Sequence, residues 1–346
     1  MADMTRILTG RELNRTLLHR QLLLERSQDD LPRVLERMAG LQAQYSPAIY
    51  IGLWSRAASV ERATVTRLLH DREIIQGTLL RSTIHVVSRR DYWPWSLAVR
   101  DDRRTQALRS WRGTLSTEEM EQAAATVRVA LADGPLRQRE IDELIGANRR
   151  SGIGLWLDLV RQPPSGTWER RRADLYALAE DWVGAPEGSV SDGQVLVVRR
   201  YLTGFGPATR KEIATWAGLP VATVGAALAE LDTTAYRGED GAELVDLAGG
   251  TIVDGDADAP PRFLANWDAA LLVHARRSGI LPEEFRKRIF HVRAPQSFPV
   301  FLVDGAVAGT WKATDGALTY DEFRPLTATE RDRLHAEGER LADFHA

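Results

Sequence analysis

One order of local structure recurs along this 346-residue chain and limits its fold more than any other feature: short amphipathic helices, a turn, then paired β-prone runs. It is met three times at intervals of about ninety residues. In the first pass, Leu13, Leu17, Leu18 and Leu22 place an apolar stripe at helical spacing over 10–25. Asp30 is a candidate N-cap for a helix through Met38, and Ser59 for another over 60–70. Residues 74–80 and 83–88 read as two strands joined around Arg81-Ser82, with Tyr92, Trp93 and Trp95 anchoring the hairpin's exit on a core. Helices followed by a hairpin is the winged-helix order.

The second pass opens at Ser116, which with Glu119 fits a capping box, and its helix stops at Asp133-Gly134-Pro135. Helices over 137–144 and 154–160 follow, with wing strands at 167–170 and 175–178. In the third pass, helices over 209–216 and 221–231 flank the Gly218-Leu219-Pro220 turn, a helix-turn-helix spacing. From Arg262 onward short alternating strands take over. Asp304-Gly305 between two apolar runs favours a type I′ hairpin, and 327–344 reads as a closing helix. The expected fold is therefore α+β. Tandem winged-helix units occupy 1–112, 113–190 and 191–258, and a small, barrel-like C-terminal β-domain with a closing helix occupies 259–346.

The chemistry-bearing stretch is Leu41-Gln42-Ala43-Gln44-Tyr45, followed by Ser46-Pro47. Pro47 disfavours the α region at Ser46, so the preceding helix is expected to stop at or before it. In extended backbone, residues two apart point the same way, and the Gln42 and Gln44 amides could converge on one spot. Each offers an acceptor oxygen and a two-proton donor, enough to orient one water. Neither takes up a proton near neutral pH, so the pair positions a water and is no general base. It would suffice only where the leaving group is already activated. The plain alternative is a pair of solvated or capping amides. Arg81, Thr83 and His85 alternate on one predicted strand face, either lining a cleft or, for His85, sitting satisfied in a core.

Composition removes several chemistries. With no cysteine there is no thiolate nucleophile or Cys-ligated zinc, and no histidine pair at i,i+4 encloses a carboxylate. No metal and no cofactor are expected. Gly-x-Ser-x-Gly and the Walker pattern do not occur. No apolar run reaches the roughly 18 residues of a membrane span, and no signal-peptide core is present, so a cytoplasmic location without membrane contact is expected. The net charge of -3 conceals a split. Residues 229–258 carry -8, and removing them from -3 leaves +5 on the remainder, while 262–293 alone carry +4. Phosphate contact follows from such a segment. Arg276, Arg277, Lys287 and Arg288 are candidate contacts, as are Arg210 and Lys211 on the third unit, although a solvated helix face explains the last two equally well.

Gly40-Leu41-Gln42-Ala43-Gln44 followed some forty residues later by Arg81-Ser82-Thr83-Ile84-His85 resembles the AlkZ family of winged-helix DNA glycosylases. The resemblance covers most of the chain. It implies that Gln42 and Gln44 are the catalytic pair and that the Arg81-x-Thr83-x-His85 strand lies beside them. It further implies a concave basic surface around duplex DNA, excision of bulky N7-alkylguanines, and unhooking of interstrand crosslinks without full base flipping. N7 alkylation puts a positive charge on guanine and supplies the activated leaving group that two amides require. Lys211, Lys287 and Lys312 lie outside the glutamine region of the sequence, which speaks against a Schiff-base lyase. By the same resemblance a hairpin would probe the minor groove. The 293–297 stretch, with Arg293 and Gln296, is either its contact loop or a plain surface loop. The expectation is a monofunctional DNA glycosylase, a monomer by default, acting on double-stranded DNA with alkylated guanine. The rival is a non-catalytic winged-helix transcriptional regulator.

Overall fold

The computed structural model describes residues 6–111, 113–272, 279–291, 296–314 and 317–346. The chain opens with β1 (Ile7–Leu8), α1 (Gly10–Arg20), α2 (Leu31–Met38), β2 (Leu41–Gln42), α3 (Pro47–Arg56) and α4 (Arg62–His70). The hairpin β3 (Ile74–Thr78) and β4 (Ile84–Ser88) leads into the long α5 (Arg89–Trp111). Next come α6 (Thr117–Leu131), β5 (Leu136–Arg137), α7 (Gln138–Ile145), α8 (Ala147–Trp156), β6 (Leu159–Arg161), β7 (Leu175–Leu178) and α9 (Ala179–Val183). Then follow α10 (Val190–Phe205), α11 (Arg210–Ala217), α12 (Val221–Ala229), β8 (Thr233–Gly238) and β9 (Glu243–Leu247). The C-terminal part holds β10 (Arg262–Leu264), α13 (Ala269–Leu272), α14 (Arg286–Ile289), β11 (Phe290–His291) and β12 (Gln296–Ser297). It ends with β13 (Val300–Val303), β14 (Ala306–Thr314), β15 (Ala317–Glu322) and α15 (Ala328–His345).

Helix starts follow local chemistry. Ser116 with Glu119 forms the expected capping box, and Thr9 with Glu12, Thr209 with Glu212 and Thr327 with Glu330 do the same. Asp30 caps α2 through the Arg33 amide. Ser59 does not cap α4; Glu61 holds that position without a side-chain bond. The first helix stops at Arg20, short of 25, because Leu22 turns left-handed at φ 58° and Leu23 bonds back to the Leu18 carbonyl. Ser46 contradicts the pre-proline expectation: it is right-handed helical, at φ -55°, ψ -41°. Its hydroxyl donates to the Arg171 carbonyl at 2.7 Å and its carbonyl accepts from Ile49, and those bonds outweigh the steric bias.

The structure departs from the sequence reading most in the second segment. Residues 154–160 do not form one helix: α8 ends at Trp156 and Val160 enters a strand, fully buried between β7 and β3. Residues 167–170 make no strand. The Ser165 hydroxyl donates to the Arg172 carbonyl and accepts from the Asp174 and Leu175 amides, closing a loop that competes with ladder pairing.

A six-stranded sheet of order β2-β4-β3-β6-β7-β5 therefore merges the hairpins of the first two segments. One apolar cluster, built on α5, α10, α11 and α12, includes Trp95, Tyr201 and Trp216. Another joins α2 and α3 to the C-terminal part through Tyr50, Phe263 and Trp311. In the third segment α11 and α12 meet at 112° across left-handed Gly218, and the β8–β9 hairpin follows, the arrangement of a helix-turn-helix with its wing. The N-terminal β1 pairs parallel to β8, tying the two ends of the helical part together. Asp304 and Gly305 sit at φ 49° and 74°, the two positive values a type I′ turn needs, between β13 and β14. The C-terminal sheet has order β10-β13-β14-β15, open rather than closed into a barrel among the described residues, and α15 packs on it. No single described helix is long and apolar enough to cross a membrane.

Candidate active site

Two consecutive left-handed residues, Ala39 at φ 63° and Gly40 at φ 69°, end α2 and turn the chain straight into β2. Gly40 suits that position twice over, since a Cβ there would lie 3.1–3.3 Å from Val87, Val86 and Trp95. The glutamine stretch is thus a short edge strand and no helix end. Leu41 pairs with Val86 and Gln42 with His85. Across the next strand His85 faces Gly77, where a Cβ would come within 2.7 Å of the Tyr92 ring. Gln42 and His85 thus share one sheet face.

The two glutamines are held differently. Gln42 is buried, and its Oε1 accepts from Arg81 Nη2 at 3.5 Å. Gln44 is exposed, and its Oε1 accepts the Ile84 amide at 3.2 Å while Ala43 donates to the Ile84 carbonyl. The Gln44 side chain therefore replaces a backbone acceptor at the end of the β2–β4 ladder, and its NH2 remains a free donor among the described residues.

Arg81 does not lie on the strand, as alternation had suggested. It and Ser82 are left-handed, at φ 52° and 58°, in the turn between β3 and β4. The turn brings the guanidinium to Gln42 by another route and also lets it donate to the Trp216 carbonyl at the C-terminal end of α11. Free carbonyls and the negative end of the helix dipole favour a cation there. Burial pulls the Arg81 guanidinium down to about 10, so it stays protonated at neutral pH. Thr83 donates to the Leu80 carbonyl at 3.0 Å. His85 Nδ1 lies 3.1 Å from the Thr83 carbonyl, an atom that can only accept, so Nδ1 carries the proton and Nε2 is left as an acceptor. Arg103 and Arg161 stand behind the turn, donating to the Thr78 carbonyl and hydroxyl at 2.7 Å each. Sequence reading missed both, because no periodicity marks a buried arginine that holds backbone and hydroxyl oxygens.

Burial, reinforced by Arg81, pushes His85 down to about 3. It is neutral in the folded chain and protonated in the unfolded chain below its ordinary 6.5. The unfolded state binds more protons in that window, so His85 contributes stability that is complete above 6.5 and lost as pH falls toward 3. His85→Asn should show a shallower decline of unfolding free energy from pH 6.5 to 4 in urea titrations. His345, lowered to about 4, adds a slope of the same sign in both proteins. An unchanged slope would mean that the folded chain protonates His85 freely.

The remaining predicted residues are spread out. Arg210 and Lys211 are exposed at the start of α11 and have no ion-pair partner among the described residues. Lys287 is likewise exposed, whereas Arg288 pairs with Asp321 at 3.0 Å and stacks 3.6 Å from the Phe323 centroid. Gln296 lies on β12, opposite His291. Arg276, Arg277 and Arg293 lie outside the described residues. Lys312, placed far from the glutamines by sequence, shares a groove with Tyr45, and so does Arg171, which donates to the Tyr45 hydroxyl at 3.1 Å.

Residues 35–344 match the family model described as DNA glycosylase AlkZ-like. The chain belongs to this family and is a DNA glycosylase. A curated relative, the interstrand DNA cross-link repair glycosylase of Streptomyces sahachiroi, is 24% identical over 92% of this chain and 93% of its own. The solved structure of the Streptomyces sahachiroi DNA glycosylase AlkZ shares the fold, with a TM-score of 0.79 over 97% of each chain at 19% identity.

Proposed function

We propose that this enzyme is a monofunctional glycosylase that excises N7-alkylguanine adducts from duplex DNA, bulky ones included, and unhooks interstrand crosslinks. The observation that carries the reading is the setting of Gln42: a buried amide whose oxygen lies 3.5 Å from the cationic Arg81, across the ladder from a neutral His85, with Gln44 in the bend just beyond the same short strand. The crosslink element rests on the name borne by the Streptomyces sahachiroi relative.

The chemistry needs little from the protein. The C1′–N9 bond breaks with its electron pair passing to the base and cancelling the positive charge that alkylation placed on it. A water then forms the new bond to C1′ and gives its proton to solvent. Arg81 occupies one lone pair of Gln42 Oε1, and the other can accept from that water while the Gln44 NH2 donates to it. A fixed pair of amides stabilises the developing sugar cation without proton transfer to the base. The enzyme acts as a monomer in this reading.

Release of 7-methylguanine and of a bulkier N7 adduct from labelled duplex DNA tests the proposal. Abasic sites left by the wild type support it. Tight binding to one sequence with no release of either base would make the chain a regulator. Lys287→Ala should weaken duplex binding and reduce the slope of log K against log salt by about one. A fluorescence titration at several salt concentrations measures this, and an unchanged slope would place α14 away from phosphate.

A further inference from the structure

A groove of about 550 Å³ opens at Tyr45, the residue after Gln44. Its walls come from three parts of the chain: Tyr45 beyond β2, Trp168 and Arg171 of the second segment, and Phe298, Trp311 and Lys312 of the C-terminal part. Two of its rings reach solvent within the one groove, Tyr45 at 38% and Phe298 at 40% exposure. Arg171 lies 5.8 Å from the Trp168 centroid, and neither it nor Lys312 has an ion-pair partner among the described residues. The volume suits a small-molecule moiety.

We propose that this groove holds the planar aromatic substituent carried by an adducted base while the glutamine pair addresses the sugar; the inference rests on the function proposed above. Ring walls favour a π-face, and a guanidinium and an ammonium add cation–π attraction. A phosphate backbone would require a row of free cations. The groove offers two, and its Asp321 carboxylate, held by Arg288, would repel the backbone.

The test compares three duplexes: one with 7-methylguanine, one with an N7 adduct bearing a two-ring aromatic group, and one bearing a saturated group of equal size. Wild type should show a lower KM for the aromatic adduct than for the saturated one. Thr319→Trp, an exposed position on the neighbouring strand, fills the groove without touching the glutamines. It should reduce kcat/KM for the aromatic adduct by about tenfold and leave 7-methylguanine release unchanged. Phe298→Ala should lose the aromatic preference by a similar factor. Equal loss on all three duplexes would assign the groove to the DNA backbone and overturn the inference. Release of 7-methylguanine with no aromatic preference in the wild type would overturn this inference alone. No release of any base would overturn the proposed function, and this inference with it.

Discussion

Replacing Gln42 and Gln44 together with alanine should slow release of 7-methylguanine by roughly 10²–10³-fold, the scale of losing a preorganised polar group beside a developing charge. Duplex affinity should stay largely intact, because in the proposed mechanism the pair faces the reacting centre and is not the source of phosphate contact. The single variants should separate the two amides. Gln42→Ala leaves the Arg81 guanidinium with the Trp216 carbonyl but without its second acceptor, so the loss falls on kcat. Gln44→Ala also strips the Ile84 amide of its acceptor, which adds a stability cost of about 1 kcal/mol on top of the kinetic loss. Single-turnover release, read alongside a binding titration, measures both. If binding falls in step with excision, the glutamines support the fold and do not work on the substrate.

Asp268→Ala should lower the unfolding free energy by about 3–5 kcal/mol, the largest single-site stability effect expected here. Arg56 and Asp268 form a bidentate pair at 2.9 and 2.8 Å with both side chains fully buried. Arg56 also donates to the Gly52 carbonyl and to Gln21, so the guanidinium is immobilised in a dry site. Deleting the carboxylate leaves that charge uncompensated, whereas the double variant Arg56→Met, Asp268→Leu removes both charges and should recover most of the loss. The pair ties α3, which follows the glutamine strand, to the segment just before α13 in the C-terminal part. Urea unfolding compares the three proteins, and a loss below about 1 kcal/mol for Asp268→Ala would mean that water reaches Arg56.

Where the sequence could be read, the information was local. The capping box at Ser116, the Asp304-Gly305 turn and the Gly218 break each rest on residues within four positions of one another, and each is present. The spacing of the glutamines was legible for the same reason, but not how each is held: Gln42 is buried in β2, while Gln44 lies exposed just beyond it. The 167–170 strand failed because Ser165 closes a loop through the Arg172 carbonyl, a bond that no periodicity announces.

The sequence by itself determined most of the helices, the 74–88 hairpin and the hairpin around Asp304-Gly305, the α+β class and the residue types that could orient a water. Only the tertiary structure decided how those residues are held. Arg81 reaches Gln42 through a left-handed turn and a carbonyl of α11, 135 positions away in sequence. Lys312 and Arg171 come beside Tyr45 from other segments. His85 stays neutral far below its ordinary 6.5 because the surrounding chain excludes water and sets Arg81 beside it. Desolvation and long-range contact depend on what the rest of the chain packs around a residue. Local spacing carries no record of that.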